Sequence, residues 1–136
     1  MRIMPSVSLR VIVAALALFG LFGVLPVSLA ELSAGGACPH LGVLPACHLV
    51  LLAYGTVLLT VLHRRLWNPW VFLLAWLPIF ALAAMGSSLE LLGHGTCPKT
   101  ESGLPKCFFS LGLAVALLLP FLVHFAKSMR ITAQRS

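Results

Sequence analysis

Four cysteines carry most of the chemistry this chain can offer. They lie in two stretches that say nearly the same thing. Glu31-Leu32-Ser33-Ala34-Gly35-Gly36-Ala37-Cys38-Pro39 is echoed by Glu90-Leu91-Leu92-Gly93-His94-Gly95-Thr96-Cys97-Pro98. After a short insert, Leu44-Pro45-Ala46-Cys47 is echoed by Leu104-Pro105-Lys106-Cys107. Eight of the thirteen aligned positions are identical, and all four cysteines are among them. Cysteines so arranged can staple the chain, exchange disulfides with a partner, or bind a metal as thiolates.

Each chemistry has its own requirements. Four cysteines allow three connectivities, and the repeat favours Cys38–Cys47 with Cys97–Cys107, one bridge per half. A structural bridge closes each short loop against the start of the next helix. A redox role draws on Cys47 and Cys107, which stand at or near helix N-termini, where the helix dipole favours a thiolate. A metal site draws on His40, His48 and His94, which neighbour the cysteines. The cysteines repeat between the halves and those histidines do not, so no metal is assigned. Glu31 and Glu90 do repeat, each closing an apolar run. Their expected role is to bond the amides of the following Gly-rich loop, with proton transfer as the alternative. His48 and His94 join them as candidate polar positions at the membrane interface. Tyr54 sits in an apolar run, facing either a ligand or a neighbouring helix.

The elements that must position these groups are almost pure hydrocarbon. The chain has 136 residues, 60% hydrophobic and 9% charged, against about 25% charged in a soluble domain. This excludes an ordinary water-soluble domain and points to an integral membrane protein. Spanning helices need roughly 20 apolar residues. Four windows supply them, at about Val11–Ala30, Cys47–Leu62, Trp70–Leu89 and Cys107–Phe125. A cleavable signal peptide ending at Ser28-Leu29-Ala30 is the rival reading of the first. The repeat argues against it, because each copy needs a span before its glutamate. The sequence predicts one membrane domain over residues 1–136: an all-α four-helix transmembrane bundle.

Charge sets the expected orientation. Arg2, Arg10, Arg64, Arg65, Lys127, Arg130 and Arg135 lie on one side, and no acidic residue joins them. Glu31, Glu90, Glu101, Lys99 and Lys106 lie on the other. Short loops rich in Lys and Arg mark the cytoplasmic face. Both termini are therefore expected in the cytoplasm and both cysteine loops outside, in the periplasm of a bacterial inner-membrane protein. The net charge of +6 is mostly this bias. It attracts anionic lipid and gives no reason to expect nucleic acid. Both halves read span, Glu, Gly-rich loop, Cys-Pro, Leu-Pro-x-Cys, span, over about 10–63 and 70–126. They start on the same side, as parallel repeats about an axis along the membrane normal. Pro45 and Pro105 suit helix starts, and Gly35, Gly36, Gly93 and Gly95 suit tight turns. Trp67 and Trp70 suit an interfacial belt. Gly20, Gly23, Gly55, Gly112 and Ala116 offer close helix approach.

In layout the chain resembles the bacterial disulfide-bond formation membrane protein B and, more distantly, the vitamin K epoxide reductases. The shared features are four spans, cytoplasmic termini and one cysteine pair in each periplasmic loop. The resemblance implies a bound quinone reduced by one pair and a thioredoxin-like partner oxidised by the other. Carried over, Cys38 and Cys47 would face the quinone, and Cys97 and Cys107 the partner. The Cys-x-x-Cys of that family is absent from both pairs, and no arginine follows Cys47 closely.

No Ser-His-Asp set, phosphate-binding glycine loop or ladder of charges within the spans is present, and no catalytic residue is assigned. The leading expectation is a non-catalytic accessory or assembly subunit of a larger membrane complex, surrounded by lipid and partner helices, with no cofactor. The alternative is a quinone-coupled thiol–disulfide oxidoreductase working through the four cysteines.

Overall fold

A computed structural model describes residues 6–36, 38–63, 68–95 and 97–136. Arg2, Arg64 and Arg65, expected to set orientation, and Trp67, expected in an interfacial belt, lie outside the described residues. Four helices follow in order: α1 (Val7–Ala34), α2 (Ala46–Leu62), α3 (Pro69–Leu91) and α4 (Lys106–Arg135). Two-residue strands, β1 (His40–Leu41) and β2 (Leu44–Pro45), pair antiparallel between α1 and α2.

The helix ends follow local chemistry. The Ser6 hydroxyl accepts from the Leu9 N–H at the start of α1. Asn68 Oδ1 accepts from the Trp70 N–H at the start of α3, with Pro69 in the first turn, where its missing N–H costs nothing. Gly35 stops α1 by taking φ 69° and donating its N–H to the Glu31 carbonyl at 3.0 Å. Pro45 and Pro105 precede α2 and α4 with nearly the same backbone, φ −70° and ψ 131° or 128°.

Three of these helices, α1, α3 and α4, are long and apolar enough to cross a membrane. α2 is apolar but has 17 residues, a rise of about 25 Å against a hydrocarbon core of about 30 Å. It starts where the cysteine loop must close and ends at His63. α4 runs well past the expected boundary at Phe125, to Arg135. After Pro120 nothing in its sequence breaks a helix, and Ala, Lys, Met, Arg and Gln all favour one.

The helices form a ring. α1 packs on α2, α2 on α3 and α3 on α4, and a weaker contact between α4 and α1 closes it. Tyr54, Phe72, Ile79, Leu117, Val13, Val57 and Val61 form its centre, each less than 2% exposed. The Phe72 and Phe121 rings stack at 4.6 Å between centroids, joining α3 to α4. Trp76 adds a buried hydrogen bond from its indole N–H to the Ala114 carbonyl at 2.8 Å. Gly20 lets α1 meet α2: a Cβ there would overlap the Tyr54 ring. Gly23, Gly55 and Gly112 have open space where a Cβ would stand, so of the glycines expected at close approaches Gly20 alone makes one. The Tyr54 hydroxyl is buried and without a partner; its role here is the packing of its ring.

Arg10 does more than bias orientation. Its guanidinium donates to the Val61 carbonyl from Nε at 2.9 Å and Nη2 at 2.6 Å, and to the Leu62 carbonyl at 3.0 Å. These carbonyls lie in the last turn of α2, which has no intrahelical donors left for them, and the positive charge suits that end of the dipole. Replacing Arg10 by Met therefore lowers the free energy of unfolding in detergent by about 1–3 kcal/mol. Lys, which keeps the charge but not the planar fork, recovers part of it. Unfolding by titration with denaturing detergent, followed by tryptophan fluorescence, reads both; equal midpoints for the Met variant and wild type would remove the cap.

Candidate functional site

Both cysteine loops lie at one end of the ring, the first joining α1 to α2 and the second α3 to α4. Cys38 is bonded to Cys47 and Cys97 to Cys107, with Cα atoms 6.0 Å apart in each pair, the connectivity favoured by the repeat. Within each bridge the first sulfur-bearing residue is buried, Cys38 at 5% and Cys97 at 6% exposure. Cys47 and Cys107, in the first turns of α2 and α4, are half-buried.

A backbone rung closes each loop beside its bridge. The Ala46 N–H donates to the Pro39 carbonyl and the Lys106 N–H to the Pro98 carbonyl, both at 2.9 Å. In the first loop His40 pairs with Pro45 and Leu41 with Leu44. In the second, Lys99 bridges to Pro105, and the wider turn is held by the Thr100 N–H donating to the Leu104 carbonyl at 2.9 Å. These ribbons were not legible in the sequence. Two-residue strands have too little pattern to register, and the prolines argue against a strand.

Each glutamate stands in the last turn of the helix that enters its loop. Glu31 is buried at 9% exposure. Its Oε2 accepts from the Cys38 N–H at 3.0 Å, and its Oε1 lies 3.2 Å from His40 Nε2. Glu90 Oε1 lies 3.5 Å from Lys99 Nζ. His40 and Lys99 occupy matching places, two residues after the first cysteine, so each loop sets a basic side chain against its glutamate. The match stops at the other oxygen, because Glu90 Oε2 is buried without a hydrogen-bond partner.

Other candidates are placed less tightly. His48 is half-buried in the first turn of α2, with both ring nitrogens buried and unpartnered. His94 is an exposed loop residue whose N–H donates to the Leu89 carbonyl at 3.0 Å. No group of three His, Cys, Asp or Glu side chains is arranged to hold a metal ion among the described residues, and both bridges occupy their sulfurs.

Three features were missed in the sequence. Ser28 and Ser87, at 2% and 4% exposure, lie one turn before Glu31 and Glu90 on the same helix face. They extend the repeat to Ser-x-x-Glu-Leu, a signal that the sequence does hold. Gly86 lies directly under the second bridge. A Cβ there would stand 2.8 Å from Cys107 Sγ and 3.1 Å from Cys97 Sγ. Nothing in its sequence neighbourhood marks it, since the first copy has Val27 at that place. Beside the second loop, the weak α1–α4 seam opens an apolar groove of about 490 Å³. Phe19, Leu104, Phe108, Phe109, Gly112 and Ala116 line it.

The arrangement can brace two hairpins, and it can present one half-buried cysteine per bridge to a thiolate. Comparison with protein-family profiles, with curated proteins and with solved structures finds no match to this chain.

Proposed function

We propose that the protein is a four-span accessory subunit of a larger membrane complex, made of two parallel hairpins, with both termini cytoplasmic and its stapled loops in the bacterial periplasm. One observation carries this reading: polar side chains gather in the two closed loops, while the outward faces of the helices are apolar. Phe19, Phe22, Leu52, Leu74, Phe109 and Leu119 are all more than 40% exposed. Contiguous apolar surface marks contact with membrane or partner, and the groove between α1 and α4 gives a partner helix a place to seat.

Burial supports the two-hairpin reading. Val13, Ala17, Gly20 and Ser28 are buried, and so are Phe72, Trp76, Ile79 and Ser87, each 59 residues on. Tyr54, Val57 and Val61 are buried, and so are Ala114, Leu117 and Phe121, each 60 residues on. Side chains change size at these places while their inward position is kept.

A photo-crosslinking residue tests the accessory role. Installed at Phe19 or Phe109, beside the groove, it should capture one defined membrane protein in cells. Installed at Leu52 or Leu74 it should capture lipid. Crosslinks to lipid alone from all four positions would sink the reading.

A second reading is thiol–disulfide exchange, supported by the half-buried Cys47 and Cys107 and by the layout shared with membrane disulfide oxidoreductases. Its quinone and its thioredoxin-like partner belong to the same proposal. A redox titration of each bridge separates the two readings, since structural bridges resist reduction by the glutathione pool and catalytic ones do not.

A further inference from the structure

The two loops match in their cysteines, rungs and basic partners but not in the state of their glutamates. Both carboxylate oxygens of Glu31 are engaged, one by the Cys38 N–H and one by His40. Glu90 has one oxygen beside Lys99 and the other buried and unpartnered. Gly86 and Glu90 are one turn apart on the same face of α3, and Gly86 is the residue on which the Cys97–Cys107 bridge rests. That carboxylate therefore shares a face with the bridge and has acceptor capacity left. One turn before Glu90, Ser87 Oγ is also buried and unpartnered.

We propose that Cys97–Cys107 is the exchangeable disulfide of the two, that Glu90 carries the proton of its buried sulfur, and that Cys38–Cys47 is a staple. This rests on the thiol-exchange reading above. The reductant is a dithiol. Its thiolate attacks Cys107 Sγ, the half-buried end of the bridge. The Cys97–Cys107 bond breaks, its electron pair leaves on Cys97 Sγ, and the Glu90 carboxylate passes a proton from solvent to that sulfur and ends as the carboxylate. The second thiol of the reductant releases its proton to solvent, and its sulfur closes on the first. Cys107 leaves and is protonated from solvent. Two electrons and two protons pass from the dithiol to the two cysteines. In the reverse exchange the oxidant is the disulfide form of that dithiol: the Cys107 thiolate opens it to a mixed disulfide, the Glu90 carboxylate takes the Cys97 proton, and the freed Cys97 thiolate attacks Cys107 Sγ, releasing the dithiol. The charged and titratable groups around this end are Lys99, His94 and Glu101 in the loop, Lys106 on α4, His48 on α2 and Glu31 on α1. His40 in the first loop completes the set and faces Glu31, whereas Lys99 stands against Glu90 itself, its Nζ 3.5 Å from Oε1.

The test uses the full chain in detergent with dithiothreitol as the probe. Alkylation and mass spectrometry follow each bridge separately from pH 6 to 9. In the wild type, Cys97–Cys107 should open faster than Cys38–Cys47 at every pH. Glu90→Gln should slow its opening and reclosing about a hundredfold, flatten its pH profile, and leave Cys38–Cys47 unchanged. Glu90→Asp should recover part of the rate, and Glu31→Gln should leave Cys97–Cys107 unaffected. If Cys97–Cys107 opens readily but at the same rate in Glu90→Gln, the role of Glu90 is overturned and the exchange reading stands. If both bridges in the wild type resist the probe, the exchange reading falls and this proposal with it. Should Glu90→Gln not fold, the wild-type comparison still decides: a Cys97–Cys107 rate whose pH profile matches that of Cys38–Cys47 overturns the proposal.

Discussion

Replacing Cys38 and Cys47 together by alanine lowers the free energy of unfolding by about 2.5–3 kcal/mol, and replacing Cys97 and Cys107 together lowers it by nearly the same amount. Each bridge closes a short loop, spanning 9 residues in one case and 10 in the other. The chain-entropy argument depends on loop length alone, and its logarithm barely changes between those lengths. The equality of the two losses is thus the sharper part of the expectation. A single replacement, Cys47→Ser, costs more than the double one, because it leaves Cys38 as a lone thiol in a buried place and adds a hydroxyl beside it. Detergent-solubilised protein, unfolded by denaturing detergent and followed by tryptophan fluorescence, supplies the numbers. Midpoints that do not move on removal of either pair would show that the loops are held by their backbone rungs and glutamates instead.

Gly20→Ala destabilises the bundle by about 1–3 kcal/mol, although alanine is the better helix former by about 1 kcal/mol. The reason is local. The added carbon overlaps the Tyr54 ring, which is itself 1% exposed and cannot swing out to solvent. α1 must then lift from α2, along the most extensive helix contact in the ring. Tyr54→Leu in the same chain restores much of the loss, since a smaller side chain accepts the new methyl, and the two changes are non-additive because their atoms touch. Tyr54→Phe is the control. It removes a buried hydroxyl that has no partner, so stability rises or stays level. A Gly20→Ala variant as stable as wild type would mean that α1 and α2 do not approach as closely as described.

The sequence and the structure agree where long apolar periods or repeated cysteines make the signal. Four apolar windows became four helices, and the duplicated Cys-Pro and Leu-Pro-x-Cys segments became two bridges with the same 6.0 Å Cα separation. Agreement is poorer where one residue decides. Gly86 is an ordinary glycine in a helical window, and its value comes from the sulfur atoms above it. Arg10 reads as a topological charge because nothing in its own segment reveals that the end of α2, some fifty residues away, needs donors. The bounds of α2 were legible to within one residue, Ala46–Leu62 against Cys47–Leu62, but the reason for so short a helix was not. Hydropathy marks where apolar residues stop, whereas the helix also has to leave room for a loop closed by the Cys38–Cys47 bridge. The extent of α4 beyond Phe125 was hidden by the opposite effect, in which charged residues end a hydropathy window without ending a helix. Glu31 and Glu90 were legible as a pair, but their different surroundings were not, since those depend on where the loop folds back.

The unequal lengths of the helices have a consequence for the bilayer itself. In the four-span arrangement, α1 and α4 reach well beyond the hydrocarbon slab while α2 falls short of it. On that proposed arrangement, lipids against α2 would be drawn thin and lipids against its neighbours would not, dimpling the membrane on one side of the protein. Arg10, which holds the short end of α2, would then set a charge at the bottom of that dimple, where headgroups would be pulled inward to meet it. Such a protein is more comfortable in a thin membrane than in a thick one. On the four-span proposal it would collect beside other proteins that thin the bilayer in the same way, and so gain neighbours without any complementary surface.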